Sequence, residues 1–212
     1  MFSPAGEREL TYHKTHPWAA SAFENAHFAL GAAFAPSIPL VHLPASDDAA
    51  GADADSQAAP GHGFEDAWLN TLICWDIEFP EPARTVRLAT PGAHHSSPLV
   101  LCVPTANADG DVGTYTLRTR AAENHIFLLV ANHAGAAFCG GSCVIAPDGV
   151  VLAEVQGTAD GIAYAELDLG RDAFEMKRRL NPMLEWRRPE LYGPIVDAEL
   201  WEKSSWPSTA HA

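Results

Sequence analysis

Cys74 is the residue whose place in the chain first suggests covalent chemistry. It closes the apolar run Leu69-Asn70-Thr71-Leu72-Ile73, which reads as a buried strand, and stands just before a turn into a helix opened by Pro80-Glu81-Pro82. A sulfur at such a bend lies near the backbone N–H groups of Trp75 and Asp76. A free thiol has a pKa of about 8.5, so at neutral pH a nucleophilic cysteine needs a cation, a base or a helix N-terminus beside it. The plain alternative is a small buried hydrophobe at a strand end. A third, a redox-sensing thiol, would pass through a reversible sulfenic acid. Cys102, inside an apolar strand, reads as core. Cys139 and Cys143, with His133, suggest a metal site, but the spacer Gly140-Gly141-Ser142 is longer than the usual two residues and no second Cys/His pair completes four ligands. No metal is expected. Asn107 and His133 end strands on the side where Cys74 ends its own, which makes them candidates to bind substrate, with loop capping as the alternative. Trp18, Trp75 and Phe138 are candidates for an aromatic wall, His94-His95 reads as solvated, and Arg120 with Glu123 reads as a structural i, i+3 ion pair.

These residues need a scaffold, and the alternation of patterns supplies an α/β one. Strands are expected at Pro39–Pro44, Leu69–Cys74, Pro98–Pro104, Ile126–Asn132 and Gly161–Leu167. Ser142–Ala146 and Val150–Val155 flank Pro147-Asp148-Gly149 and read as a hairpin. Helices are expected from Pro80 to the Thr90-Pro91-Gly92 stop, over Thr114–Asn124, and over Arg171–Leu180, while Ser21–Ala35 suits a short helix or packed loop. The Ala/Asp-rich stretch 45–63 reads as a disordered insertion and 194–212 as an irregular tail, so residues 1–212 form a single domain.

Charge narrows the partners. With 13 Lys+Arg against 27 Asp+Glu, a formal balance of −14, and no basic run, neither nucleic acid nor an anionic membrane surface is an expected partner. No apolar stretch nears the roughly 18 residues of a membrane span, and Met1–Arg8 lacks a basic-then-apolar leader pattern, so a cytoplasmic chain is expected. Four unevenly spaced cysteines fit a reducing compartment.

The residues around Cys74, Leu72-Ile73-Cys74-Trp75-Asp76-Ile77-Glu78-Phe79-Pro80-Glu81-Pro82-Ala83-Arg84, closely resemble the nucleophile segment of the nitrilase, or carbon–nitrogen hydrolase, superfamily. Tyr12-His13-Lys14-Thr15-His16 is similar to its lysine motif, and Glu24 with Phe28 and Gly31 to its second-glutamate segment. Pro104-Thr105-Ala106-Asn107, then Arg118, Arg120, Ala121, Glu123 and Asn124, then Ala131-Asn132-His133-Ala134-Gly135 follow later motifs in order. Gly141-Ser142, Pro147-Asp148-Gly149 and Arg188-Pro189-Glu190-Leu191-Tyr192 complete a likeness running from about Glu9 to Tyr192.

That resemblance implies a four-layer α-β-β-α sandwich and an amidase-like thiol enzyme that hydrolyses a small amide or carbamoyl group through a thioester, without cofactor or metal. It assigns Cys74 as nucleophile, Lys14 and the Trp75 backbone N–H as oxyanion donors, and Glu24 as the glutamate supporting lysine and water. It also implies a homo-oligomer. The family's first catalytic glutamate lies upstream of the lysine motif, and neither Glu7 nor Glu9 has its context, so an N-terminally incomplete version of the fold is expected. General acid–base help is typically worth about 10² to 10⁴ in rate, so the alternative function is a catalytically silent subunit of the same fold acting in binding or assembly.

Overall fold

The structure is a computed structural model, described here for residues 1–3, 5–18, 22–40, 67–92, 97–169 and 182–202. Six strands form one mixed sheet in chain order: β1 (Ile38–Pro39), β2 (Trp68–Thr71), β3 (Leu99–Thr105), β4 (Phe127–Asn132), β5 (Cys143–Ile145) and β6 (Val151–Glu154). The central trio β2, β3 and β4 is parallel, and the flanking pairs are antiparallel. Parallel neighbours need a crossover, and both crossovers here are helical. Helix α2 (Pro80–Ala89) links β2 to β3, and α3 (Arg118–Asn124) links β3 to β4.

Local sequence sets each boundary. Proline at the first turn of α2 removes only an N–H that no helical carbonyl would have accepted. The helix ends where the Thr90 hydroxyl donates to Val86 O at 2.8 Å. A wide π-type turn, Val112–Leu117, runs directly into α3, so the helical stretch begins earlier than the expected Thr114. It stops at His125, whose left-handed backbone (φ 50°) lets the Ile126 N–H turn back to Ala121 O at 3.1 Å.

Period-2 alternation sorts the strands into two faces. Leu99, Leu101 and Val103 of β3, together with Leu128 and Val130 of β4, face Ala83, Val86, Leu117 and Ala121 of the helical layer in one buried core. Val100, Phe127, Leu69 and Leu129 face the other way, where Leu167 and Leu169 pack on them. Gly161–Leu167, expected as a strand, joins no ladder: of its large apolar residues only Leu167 packs on this second sheet face, while Ile162 and Tyr164 are exposed. The β5–β6 hairpin forms as expected, with Gly149 at φ 80° and Ala146 N–H donating to Val150 O at 2.8 Å.

The described residues thus build one helix-and-sheet pair of the expected four-layer arrangement. Of the Pro39–Pro44 strand they include only Pro39, the second residue of β1, and Leu40. The 45–63 insertion and the 171–180 helix lie outside the described residues. The tail read as irregular contains two short helices, α4 (Gly193–Val196) and α5 (Ala198–Glu202), each formed by a single local turn, and 203–212 lie outside.

Candidate active site

The carboxyl ends of parallel strands are where α/β sheets collect their chemistry. Past β2 the chain enters a single 3-10 turn, Cys74–Ile77. Cys74 begins it at φ +52°, a left-handed conformation that costs a non-glycine residue roughly 1–2 kcal/mol. The turn is clasped from two sides. Beneath it, Arg120 on α3 donates from Nε to Ile77 O (3.1 Å) and from Nη2 to Glu78 O (2.6 Å), while Nη1 pairs with Glu123 Oε1 at 2.9 Å. The expected Arg120–Glu123 pair therefore exists, and it anchors the exit of the turn.

Above it lies the carboxylate of Asp76, with no exposed surface. Asp76 Oδ1 accepts from Thr15 N (3.2 Å), Thr15 Oγ1 (2.9 Å) and His16 N (2.8 Å), and lies 3.0 Å from His16 Nδ1. Oδ2 accepts from Tyr12 Oη (2.8 Å) and Ile73 N (3.1 Å). Burial pushes this carboxyl up, but the hydrogen bonds from His16, Tyr12, Ile73 and Thr15 outweigh it and hold Asp76 below the usual carboxylate range. Tyr12 is driven the opposite way by burial and by the Asp76 charge, and stays a phenol.

Between Tyr12 and Thr15 stands Lys14. Its Nζ donates to Glu24 Oε2 at 2.7 Å, and the same oxygen accepts the Trp18 N–H at 2.9 Å. Glu24 is carried by the short helix α1 (Ala22–His27). Burial raises its pKa, yet Lys14 and the Trp18 amide leave it below the ordinary value. Gly31 closes the loop by donating its N–H to Lys14 O at 2.9 Å.

Cys74, Lys14 and Glu24 line one cavity of about 470 Å³. Its remaining walls are largely apolar, from Pro17, Phe28, Leu30, Ile73 and Pro104. As the second residue of a one-turn helix, Trp75 has an N–H with no intrahelical acceptor. Its ring packs edge-on against Phe79 at 5.1 Å, which in turn stacks on His16 at 4.6 Å. Glu78, next in line, is pushed up by burial and by the negative charge of Asp109.

Two expected binding residues fall elsewhere. Thr105, the last residue of β3, and Ala106 after it reach the Cys74 cavity, and Asn107 does not line it. It is engaged with Asn132: its N–H donates to Asn132 Oδ1 at 2.8 Å, and its carbonyl accepts from Asn132 Nδ2 at 3.2 Å and Cys139 N at 3.0 Å. Its own side chain caps the loop, Oδ1 accepting the Asp109 N–H at 2.8 Å, which is the loop-capping alternative. His133 lines a separate depression with Asn132, Gly140 and Asp160, its ring 4.8 Å from that of Phe138. Trp18 is half exposed and Phe138 lies with His133, so neither walls the cavity of Cys74. The sequence reading passed over Asp76, Tyr12, Thr15 and His16, although all four stand inside the two motif blocks that carry Cys74 and Lys14. Among the described residues no cluster of three or more His, Cys, Asp or Glu has the arrangement to hold a metal ion, and no helix is long and apolar enough to cross a membrane.

Residues 1–172 match the carbon–nitrogen hydrolase family. A protein described as the hydrolase in the pqqF 5′ region of Pseudomonas protegens is 35% identical over 202 residues, covering 92% of this chain and 58% of that protein. An (R)-stereoselective amidase of a Pseudomonas species is 36% identical over 150 residues, 65% of this chain and 51% of its own length. Among solved structures, a mutant of the amidase from Nesterenkonia sp. AN1, bearing the Michael adduct of acrylamide at its active site cysteine, superposes with a TM-score of 0.60. It is 27% identical, covering 90% of this chain and 59% of that one. The chain spans somewhat under three fifths of the length of these relatives.

Proposed function

The chain belongs to the carbon–nitrogen hydrolase family, and from that premise we propose that it hydrolyses a small, apolar amide through a thioester on Cys74. One observation carries the reading: a cysteine held in a left-handed turn shares a single cavity with a lysine ammonium fixed by a glutamate. Cys74 Sγ forms a bond to the amide carbon and the carbonyl π pair moves onto oxygen. That oxyanion is met by the Lys14 ammonium and the Trp75 N–H, donors already oriented before charge develops. Collapse of the adduct breaks the C–N bond, the nitrogen leaves with the thiol proton as ammonia or an amine, and the acyl group remains on sulfur. Water then attacks the thioester, releasing a carboxylic acid and restoring the thiol. Glu24 keeps Lys14 aimed and lies in the same cavity as the entering water.

The apolar walls favour an acyl group without charge, and the Lys14–Glu24 pair spends both local charges on each other. Cys74→Ala is expected to abolish turnover of short aliphatic and aromatic primary amides and to abolish the acyl mass gain seen by intact mass spectrometry. Cys102→Ala should leave both nearly unchanged. Equal losses in the two variants would sink the assignment, and absence of an acyl adduct from the unaltered chain would favour the silent, binding role.

A further inference from the structure

We infer that Asp76 is a positioning residue: its single buried carboxylate locks the segment 12–16 onto the turn that presents Cys74, so that Lys14 and Cys74 face the same cavity. This rests on the reading of Cys74 and Lys14 as the working pair, and it adds a residue that touches neither substrate nor reacting atom. The donors come from two parts of the chain about sixty residues apart. Tyr12 Oη, Thr15 N, Thr15 Oγ1 and His16 N bracket Lys14 in sequence, while Ile73 N and Asp76 itself bracket Cys74. Lys14 is therefore held by its backbone on both sides as well as by its side chain through Glu24.

The chemistry of the donors calls for an anion. A carboxylate offers acceptor sites only, on two oxygens, and every certain partner here is an N–H or O–H donor. His16 Nδ1, 3.0 Å from Oδ1 and 2.9 Å from Thr15 Oγ1, completes the ring. An asparagine of the same shape would retain one acceptor oxygen and turn an NH₂ toward the donors of the other. Volume is conserved and bonding is not, so Asp76→Asn isolates the locking role. Arg120 restrains only the exit of the turn, at Ile77 O and Glu78 O, and gives Lys14 no contact.

The test compares Asp76→Asn with the unaltered chain by steady-state turnover of a small apolar amide, by the rate of Cys74 alkylation with iodoacetamide mapped by peptide mass, and by circular dichroism. A misplacement of about 1 Å in a catalytic group costs on the order of 10²-fold in rate, so kcat should fall about 100-fold with KM changed less than about threefold. Alkylation of Cys74 should slow at least tenfold in a chain that remains folded. Alkylation and kcat at the unaltered level in folded Asp76→Asn would overturn the inference. Should that variant fail to fold, the double variant Tyr12→Phe with Thr15→Val removes two side-chain donors and leaves the buried charge in place. Slowed alkylation with retained fold then supports the lock, and an unchanged rate overturns it. If the unaltered chain turns over no amide while alkylation still responds to Asp76→Asn, the proposed hydrolysis fails and the positioning role stands.

Discussion

Gly31 offers a direct way to move Lys14 without touching it. A Cβ built on Gly31 would lie 2.2 Å from His13 O, 3.0 Å from His13 C and 3.2 Å from His13 Cβ. Real Cβ atoms keep at least 3.0 Å from such neighbours, so Gly31→Ala must open this contact by about 0.8 Å. Both nearest atoms are backbone, and no rotamer change relieves them. The segment carrying His13 is fastened from behind by the Asp76 bonds to Tyr12, Thr15 and His16, so the strain falls on the Gly31 N–H bond to Lys14 O. Overpacking typically costs about 1–3 kcal/mol and a lost hydrogen bond about 0.5–1.5, against roughly 0.4–1 regained from a stiffer unfolded chain. The expected loss is about 0.5–4 kcal/mol, centred on about 2, in urea unfolding. Turnover should drop by on the order of 10²-fold, because Lys14 shifts by a large fraction of an ångström relative to Cys74. Stability within about 0.5 kcal/mol of the unaltered chain, together with unchanged turnover, would refute the close packing of Gly31 on the lysine segment.

Arg120→Met keeps the length of the side chain but orphans Ile77 O and Glu78 O and takes from Glu123 its closest cation, leaving it Asn124 Nδ2 at 3.5 Å. Breaking such a nearly buried, charge-assisted set typically costs about 3–5 kcal/mol, read as a fall in the urea midpoint at unchanged slope. A drop below about 1 kcal/mol would mean that the turn holds itself. Acid is expected to act through Asp76 and Glu24, whose carboxyls both titrate below their ordinary values in the folded chain. Their stabilisation is complete above the unfolded carboxylate range, near pH 4, and disappears as pH falls through the depressed folded values. Urea midpoints should therefore be flat with respect to these two groups from pH 5 to 7 and decline below about pH 4. The stability difference between the unaltered chain and Asp76→Asn should shrink over that same acid interval, and a difference independent of pH down to 3 would contradict the charged state of Asp76.

Much of this architecture was readable because its causes are local. Continuous apolar runs at Leu99–Val103 and Ile126–Val130 marked the central strands, Pro80 opened a helix, and Asp148-Gly149 turned a hairpin. Gly161–Leu167 differs because apolar letters do not by themselves supply a ladder partner: Ile162 and Tyr164 are exposed, and only Leu167 packs on the sheet face. Cys74, Lys14 and Glu24 were named through the resemblance of their motif blocks, and the fold brings all three to one cavity. Asn107 and His133 were named only from strand ends. A strand end fixes where the backbone arrives, while the backbone of Asn107 is held by Asn132, twenty-five residues later, and its side chain turns to the Asp109 N–H. Asp76 was invisible for a similar reason: as a sequence letter it is one acidic residue after Trp75, and four of its five certain donors, those from Tyr12, Thr15 and His16, reach it only by tertiary contact.

The separation of those donors bears on how the proposed Cys74 site is assembled. The Asp76 lock joins positions 60 to 64 residues apart, and the Lys14–Glu24 pair can form long before it, from residues only ten apart. Contacts that close such long loops are entropically expensive and form late in folding. During synthesis Lys14 and Glu24 emerge first, Cys74 follows, and α3 with Arg120 comes later still. Until the central strands have paired, the thiol is an ordinary one on an open chain, with no cavity and no aimed cation beside it. On the proposed reading, rapid alkylation of Cys74 is expected only of the completed fold, and its time course after dilution from urea tests that expectation.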